Sequence, residues 1–195
     1  MPPEVSYRVR AKKPSVSAVL HDYSSTQVNI PPGRAADILR KMQASIQPSD
    51  LGPDGKESDL HITAKYGLHF QTPTKRLREA LSTFGPVTAT LGKTSLFKNK
   101  DADVLKVDVD SPDLHRLNRL ISQLAPTNDT HPKYIPHLTL AYLKPGRGKK
   151  YEAENGLAGQ KITFDALVFS GKKGHMESIP LTPQGPAVYR VRPTR

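Results

Sequence analysis

Two short segments carry residue types that could do acid–base chemistry at matched spacing. They read Leu60-His61-Ile62-Thr63-Ala64-Lys65-Tyr66 and Pro136-His137-Leu138-Thr139-Leu140-Ala141-Tyr142, each an H-x-T with an apolar middle residue and a tyrosine five positions after the histidine. One H-x-[ST] means little, because with 7 histidines roughly one match arises by chance. The two copies gain weight from context. Each lies in an apolar, strand-like run, each follows an amphipathic helical pattern, and one falls in each half of the chain.

Side chains alternate along a strand, so His61, Thr63 and Lys65 are expected on one face, and Ile62, Ala64 and Tyr66 on the other. His137 and Thr139 likewise oppose Leu138, Leu140 and Tyr142. Set side by side, two such strands would present two imidazoles and two hydroxyls to one small space, an arrangement that suits a phosphodiester. One neutral imidazole takes a proton from the attacking oxygen while the other, protonated, gives one to the leaving oxygen; an unperturbed pKa of about 6.5 allows both states near neutrality. The threonine hydroxyls donate to non-bridging oxygens as negative charge builds there. His61, Thr63, His137 and Thr139 are therefore the candidate catalytic set, which needs no metal and no cofactor.

Around this set stand residues with two readings each. Lys65, on the expected face of His61, is a candidate phosphate-binding cation or else a solvated strand-end lysine. Tyr134 is a candidate stacking surface for a nucleobase at a cleft rim, or a loop aromatic covering the edge of the core. Strand parity sends Tyr66 and Tyr142 to the apolar face, as core. His21, His69, His115, His131 and His175 show no metal-ligand spacing and read as surface or structural residues. Lys172 and Lys173, between Gly171 and Gly174, read as a hairpin tip.

Three helices are expected to support these strands. Pro32 to Ile46, Thr72 to Phe84 and Ser111 to Leu124 each carry a proline at or near the first helical position, and the last two a hydroxyl residue just before it. Ala35, Ile38, Leu39, Met42 and Ile46 share one face of the first; Leu114, Leu117, Ile121 and Leu124 share one face of the third. Strands are expected at Thr26 to Ile30, His61 to Tyr66, Val87 to Leu91, Val104 to Val109, His137 to Leu143 and Ile162 to Ser170. The stretches Gln47 to Asp59 and Gly146 to Gln160, rich in Gly, Pro and charge, read as loops without structure of their own. The order of elements describes an α+β protein with a weak internal duplication.

Composition narrows the function classes. The 195 residues fit one domain across 1–195, or two small lobes sharing one core, with 1–17 and 183–195 as partly flexible arms. The absence of cysteine removes disulfides, thiolate metal sites and a cysteine nucleophile, and fits a cytoplasmic protein. No segment reads as a membrane span or signal peptide, and no obligate protein partner is indicated. A formal net charge of +11 biases the chain toward anionic partners, although a solvated surface with surplus lysine reads equally well. The chain contains neither G-x-S-x-G nor G-x-x-x-x-G-K-[ST], which disfavours serine-hydrolase and nucleoside-triphosphate chemistry.

The paired H-x-T motifs resemble those of the 2H phosphoesterase superfamily, whose best-known members are the bacterial and archaeal proteins similar to 2′-5′ RNA ligase. Tyr134 to Ala141 is especially similar to the second motif of that family. The resemblance runs from about Thr26 to about Leu181 and implies a bilobal fold of two antiparallel sheets flanked by helices, with both motifs in a central cleft. It implies that His61 and His137 are the catalytic pair and that Thr63 and Thr139 contact the phosphate. Its members act on 2′,3′-cyclic phosphates, on linked oligonucleotides or on cyclic nucleotides. The segment His61 to His69 also resembles phage-encoded members that cleave the cyclic oligonucleotides of bacterial defence, which would place this chain in a host cytoplasm. Three functions follow: a phosphodiesterase for small cyclic or linear oligonucleotides, an RNA end-processing enzyme or ligase, and a non-catalytic sponge. Two titrating groups at matched positions argue against the last.

Overall fold

In the computed structural model the described residues are 23–69, 72, 74–128, 133–153, 155–171 and 175–181. The expected arms and the tip lysines Lys172 and Lys173 lie outside them. Among the described residues, three helices and nine strands follow in the order β1 (Tyr23–Asn29), α1 (Arg34–Ser45), β2 (Leu51–Lys56), β3 (His61–His69), α2 (Thr74–Leu81), β4 (Val87–Lys98), β5 (Asp103–Asp110), α3 (Pro112–Leu124), β6 (His137–Leu143), β7 (Lys161–Phe164), β8 (Ala166–Ser170) and β9 (Met176–Pro180). Short 3-10 turns lie at Pro48–Asp50 and Lys149–Tyr151.

The helix starts obey their local chemistry. Ser111 caps α3 by accepting from Leu114 N at 3.0 Å, with Pro112 in the first turn. At α1 the start falls two residues later than Pro32, because Gly33, at φ 143°, takes the cap position without a side-chain bond. Leu114, Leu117 and Ile121 of α3, and Ala35 and Leu39 of α1, are buried in the core as their spacing requires.

All strand pairs are antiparallel, in the order β7-β4-β5-β6-β3-β1-β8-β9, with β2 also on β6. The two antiparallel sheets expected are the two halves of this one sheet, and β3 and β6 join them through one register pair, Ile62↔Leu138. Both residues are 0 % exposed. Burying each contributes roughly 1.5–3 kcal/mol at the point where the halves meet. The sheet must also curl: β7 lies at one end of the order and β8 near the other, yet only Asp165 separates them in sequence. The single strand expected over Ile162 to Ser170 is therefore two, one serving each half.

Two expected loops contain ordered backbone. Within Gln47 to Asp59, β2 pairs with β6, and Glu57 N donates to Leu140 O at 2.9 Å. Near the start of Gly146 to Gln160, the Lys149–Tyr151 turn is anchored on Asp50, which accepts from Tyr151 Oη at 2.5 Å and pairs with Lys150 Nζ at 2.7 Å. Tertiary pairing overrode the local Gly and Pro signal in the first stretch.

The two helices that precede the motif strands each pack on the strand of the other motif, whereas α2 lies against β9 and α3. Helix α1, which precedes His61, lies on β6, while α3, which precedes His137, lies on β3. No transmembrane-length apolar helix occurs among the described residues.

Candidate active site

The Ile62↔Leu138 pair lies at the centre of both motifs. In an antiparallel pair, its flanking residues turn to the opposite face together. This sets His61 beside Thr139, and Thr63 beside His137, on the face away from the buried pair. All four are half-buried. The two imidazoles are held alike: His61 Nδ1 bonds Asp59 O at 2.8 Å and His137 Nδ1 bonds Ile135 O at 2.7 Å. A carbonyl only accepts, so each Nδ1 carries the proton, and in the neutral ring each Nε2 is the basic nitrogen.

Both strands break their alternation at the same place. Along β3, Gln27 pairs with Thr63 and Thr26 with Lys65, which leaves Ala64 as an extra residue; along β6, Lys106 pairs with Thr139 and Leu105 with Ala141, which leaves Leu140 extra. A one-residue bulge reverses the facing of everything after it. Buried amides on the exchanged helices hold both bulges, Asn118 Nδ2 of α3 donating to Ala64 O at 2.7 Å and Gln43 Nε2 of α1 to Leu140 O at 2.9 Å.

The bulges correct two expectations drawn from parity. Lys65 does not share the face of His61 and Thr63: it lies opposite Thr26, which is 0 % exposed, and is itself buried at 6 %. Tyr66 leaves the apolar side and is 47 % exposed; Tyr142 is half-buried. Tyr134 is partly buried, its ring edge-on to His115 at 5.3 Å, and its hydroxyl donates to Thr63 O at 2.7 Å. Burial pushes its phenol well above the usual range, so it remains a neutral donor linking the two motifs.

A cation missed in the sequence occupies the site face instead. Lys106 of β5 is the register neighbour of Thr139, and Asp108 that of His137. Lys106 is 5 % exposed. Its Nζ donates to Ser95 Oγ at 2.6 Å and pairs with Asp108 Oδ1 at 2.5 Å, and Ser95 Oγ donates to the same carboxylate oxygen at 2.6 Å. The ammonium also lies 4.4 Å from the ring centre of Phe97, which stands edge-on to His137 at 4.8 Å. Burial alone would raise the Asp108 carboxyl, but the bonds from Lys106 and Ser95 and the lysine charge outweigh it and hold the group below the carboxylate range. The only signal for Lys106 was alternation in Val104 to Val109, which cannot say which strand lies alongside.

Among the described residues, no group of three or more His, Cys, Asp or Glu is placed to hold a metal ion. His69 lies edge-on to Tyr23 at 6.1 Å, and His175 Nε2 is 3.8 Å from Glu177 Oε2.

No curated protein matches the chain. Several solved structures share its fold. TT0787 of Thermus thermophilus aligns with a TM-score of 0.57 at 19% identity, over 83% of this chain and 99% of that one. Escherichia coli LigT complexed with 3′-AMP gives 0.56 at 15%, over 83% and 95%. Kluyveromyces marxianus Usb1 with uridine monophosphate gives 0.52 at 13%, over 83% and 99%. A model of the 2′-5′ RNA ligase superfamily matches residues 31–167, a span that takes in both H-x-T motifs, the bulges that follow them and the strand that carries Lys106. By that match the chain belongs to the 2′-5′ RNA ligase superfamily, and so to the 2H phosphoesterases.

Proposed function

We propose that the chain is a metal-independent phosphodiesterase that cleaves RNA-type phosphodiesters with His61 and His137 as its acid and base. The observation that carries this is the matched pinning of the two imidazoles, each Nδ1 on a carbonyl two residues back, on either side of the Ile62↔Leu138 pair. Thr63 and Thr139 donate to the non-bridging oxygens, and Lys106 supplies the positive charge that neither motif contributes. Lys106 has three donors, of which Ser95 and Asp108 take two. Neither motif holds a serine, cysteine or carboxylate nucleophile, so the attacking oxygen belongs to water or to the substrate.

With a 3′-5′ ribose linkage the neighbouring 2′-OH is already tethered near phosphorus. One histidine takes its proton as the bond from O2′ to phosphorus forms. The bond to O5′ breaks, the other histidine protonates O5′, and a 2′,3′-cyclic phosphate end results. The substrate we favour is a small cyclic oligonucleotide, a reading that rests on the likeness of His61 to His69 to the phage-encoded members. The nucleoside monophosphates held by Usb1 and LigT favour a second reading, processing of RNA ends.

Mass spectrometry of products from ribose and 2′-deoxyribose cyclic dinucleotides, 2′,3′-cyclic mononucleotides and short RNAs separates these readings. Cleavage of the ribose cyclic dinucleotide, resistance of its deoxy counterpart and full activity in excess EDTA are expected. Comparable cleavage of the deoxy compound would make water the nucleophile, and loss of activity on chelation that a divalent ion restores would overturn metal independence. Turnover confined to mononucleotides or RNA ends would establish the second reading.

A further inference from the structure

We infer that Tyr66 is a base-stacking platform, a subsite for a nucleobase flanking the phosphate held by the two motifs; the assignment rests on the phosphodiesterase reading. Tyr66 and Ile135 are the large hydrophobic residues exposed among those described, at 47 % and 48 %, and each belongs to a motif segment. Tyr66 lies five positions after His61, Ile135 two before His137. The bulge at Ala64 decides the rest. Without it Tyr66 would turn inward with Ile62; with it, Tyr66 lies on the face of His61 and Thr63, opposite Ser25 as Thr63 is opposite Gln27.

Three steps of strand separate Thr63 from Tyr66, about 10 Å at the usual rise, a distance that one nucleotide spans. β3 and β6 run antiparallel from Ile62↔Leu138, so the chain after Thr63 and the chain before His137 lead to the same end of the site. The bond from Tyr134 Oη to Thr63 O ties those two stretches together.

The ring has an aromatic neighbour. Tyr23 stands edge-on to Tyr66 at 6.4 Å, and its hydroxyl accepts from Asn128 Nδ2. Gly67, at φ 80°, lets the backbone approach Asn128 so closely that a Cβ there would meet Asn128 O at 2.3 Å. A tyrosine with a fixed backbone that is still 47 % exposed is suited to stacking, a contact that tolerates any base. The formal net charge of +11 over the whole chain favours a polyanion over an apolar peptide. The ligand class is therefore an oligonucleotide of at least two residues, its phosphate between the histidines and one base on Tyr66.

The test is calorimetric binding of a deoxyadenosine dinucleotide, and separately of inorganic phosphate, to the full chain and to Tyr66→Ala and Tyr66→Trp. Tyr66→Ala is expected to weaken dinucleotide binding about 10-fold or more and to leave phosphate binding unchanged, while Tyr66→Trp keeps the parent affinity. Dinucleotide binding by Tyr66→Ala as tight as the parent's, an equal loss of phosphate binding, or failure of Tyr66→Trp alongside Tyr66→Ala would each overturn the subsite. Ribose dinucleotide turnover by the parent and by both variants is measured in parallel. A Tyr66-dependent affinity without turnover sinks the cleavage reading alone, turnover indifferent to Tyr66 sinks the subsite alone, and a parent that neither binds nor turns over a dinucleotide sinks both.

Discussion

Each imidazole keeps its Nδ1 proton in a bond to a carbonyl two residues back, which leaves the two Nε2 atoms chemically equivalent until their neighbours are counted. Phe97 and the pair of Lys106 and Asp108 lie on the His137 side, whereas Asn29 of β1 is the register neighbour of His61. The proposed roles predict a common pattern in steady-state kinetics of one ribose cyclic dinucleotide. His61→Ala and His137→Ala should each lower kcat by about 10²- to 10⁴-fold, and the double variant should lose far less than the product of the two. In the same series Lys106→Met should cost about 10²- to 10³-fold, since it removes a cation and leaves Asp108 facing the phosphate. Near-parent kcat in a single histidine variant would refute the pairing; near-parent kcat in Lys106→Met would remove the lysine from the mechanism. Asp108 is 41% exposed at its side chain and stays solvated without its partner, so melting curves should show all these proteins folded.

At the scale of elements, the matched bulges are the feature on which facing depends. An extra residue costs a strand its ladder partner and leaves a carbonyl that needs a donor. Buried Asn118 of α3 meets that need at Ala64 O, whereas Leu140 O accepts from both Gln43 Nε2 of α1 and Glu57 N, and Gln43 Nε2 also reaches Glu57 O at 2.7 Å. Replacing Asn118 by leucine keeps the bulk and removes the donor, so Asn118→Leu should destabilise the fold by about 1–3 kcal/mol, and Gln43→Leu, which leaves Leu140 O its bond from Glu57 N, by about 0.5–1.5 kcal/mol, both read as a lower denaturant midpoint. Unchanged midpoints would mean that the bulges hold themselves. Sequence periodicity found both helices and most of their apolar faces, but Gln43 and Asn118 fall on those faces as polar residues. Their purpose is invisible until the opposing carbonyls are in place.

Across the whole molecule, the halves meet at Ile62↔Leu138, through Tyr134 and at the single residue between β7 and β8. Asp50 joins the β2 end to the Lys149–Tyr151 turn. Hydrogen bonds from Lys150 and Tyr151 hold its carboxyl below the usual 3.8. A carboxyl lowered on folding stabilises the protein fully above its unfolded value and ceases to do so as pH falls through the folded one. Asp50→Asn should therefore melt lower than the parent at neutral pH, and the gap should close below about pH 3.8, toward the lowered folded value; a gap independent of pH would exclude the charge as its source. The sequence by itself determined the α+β class, the three helices, the strands of both motifs and the likeness to the 2H phosphoesterases, because period, caps and paired H-x-T spacing are local properties. Only the tertiary structure decided that α1 and α3 each cover the other motif's strand, that Ile162 to Ser170 divides between the halves, and that Lys106 in place of Lys65 faces the site. The physical reason is common to all three: a bulge or a strand exchange is set by which backbone groups find partners across the sheet, and a one-residue shift in that pairing reverses every side chain beyond it.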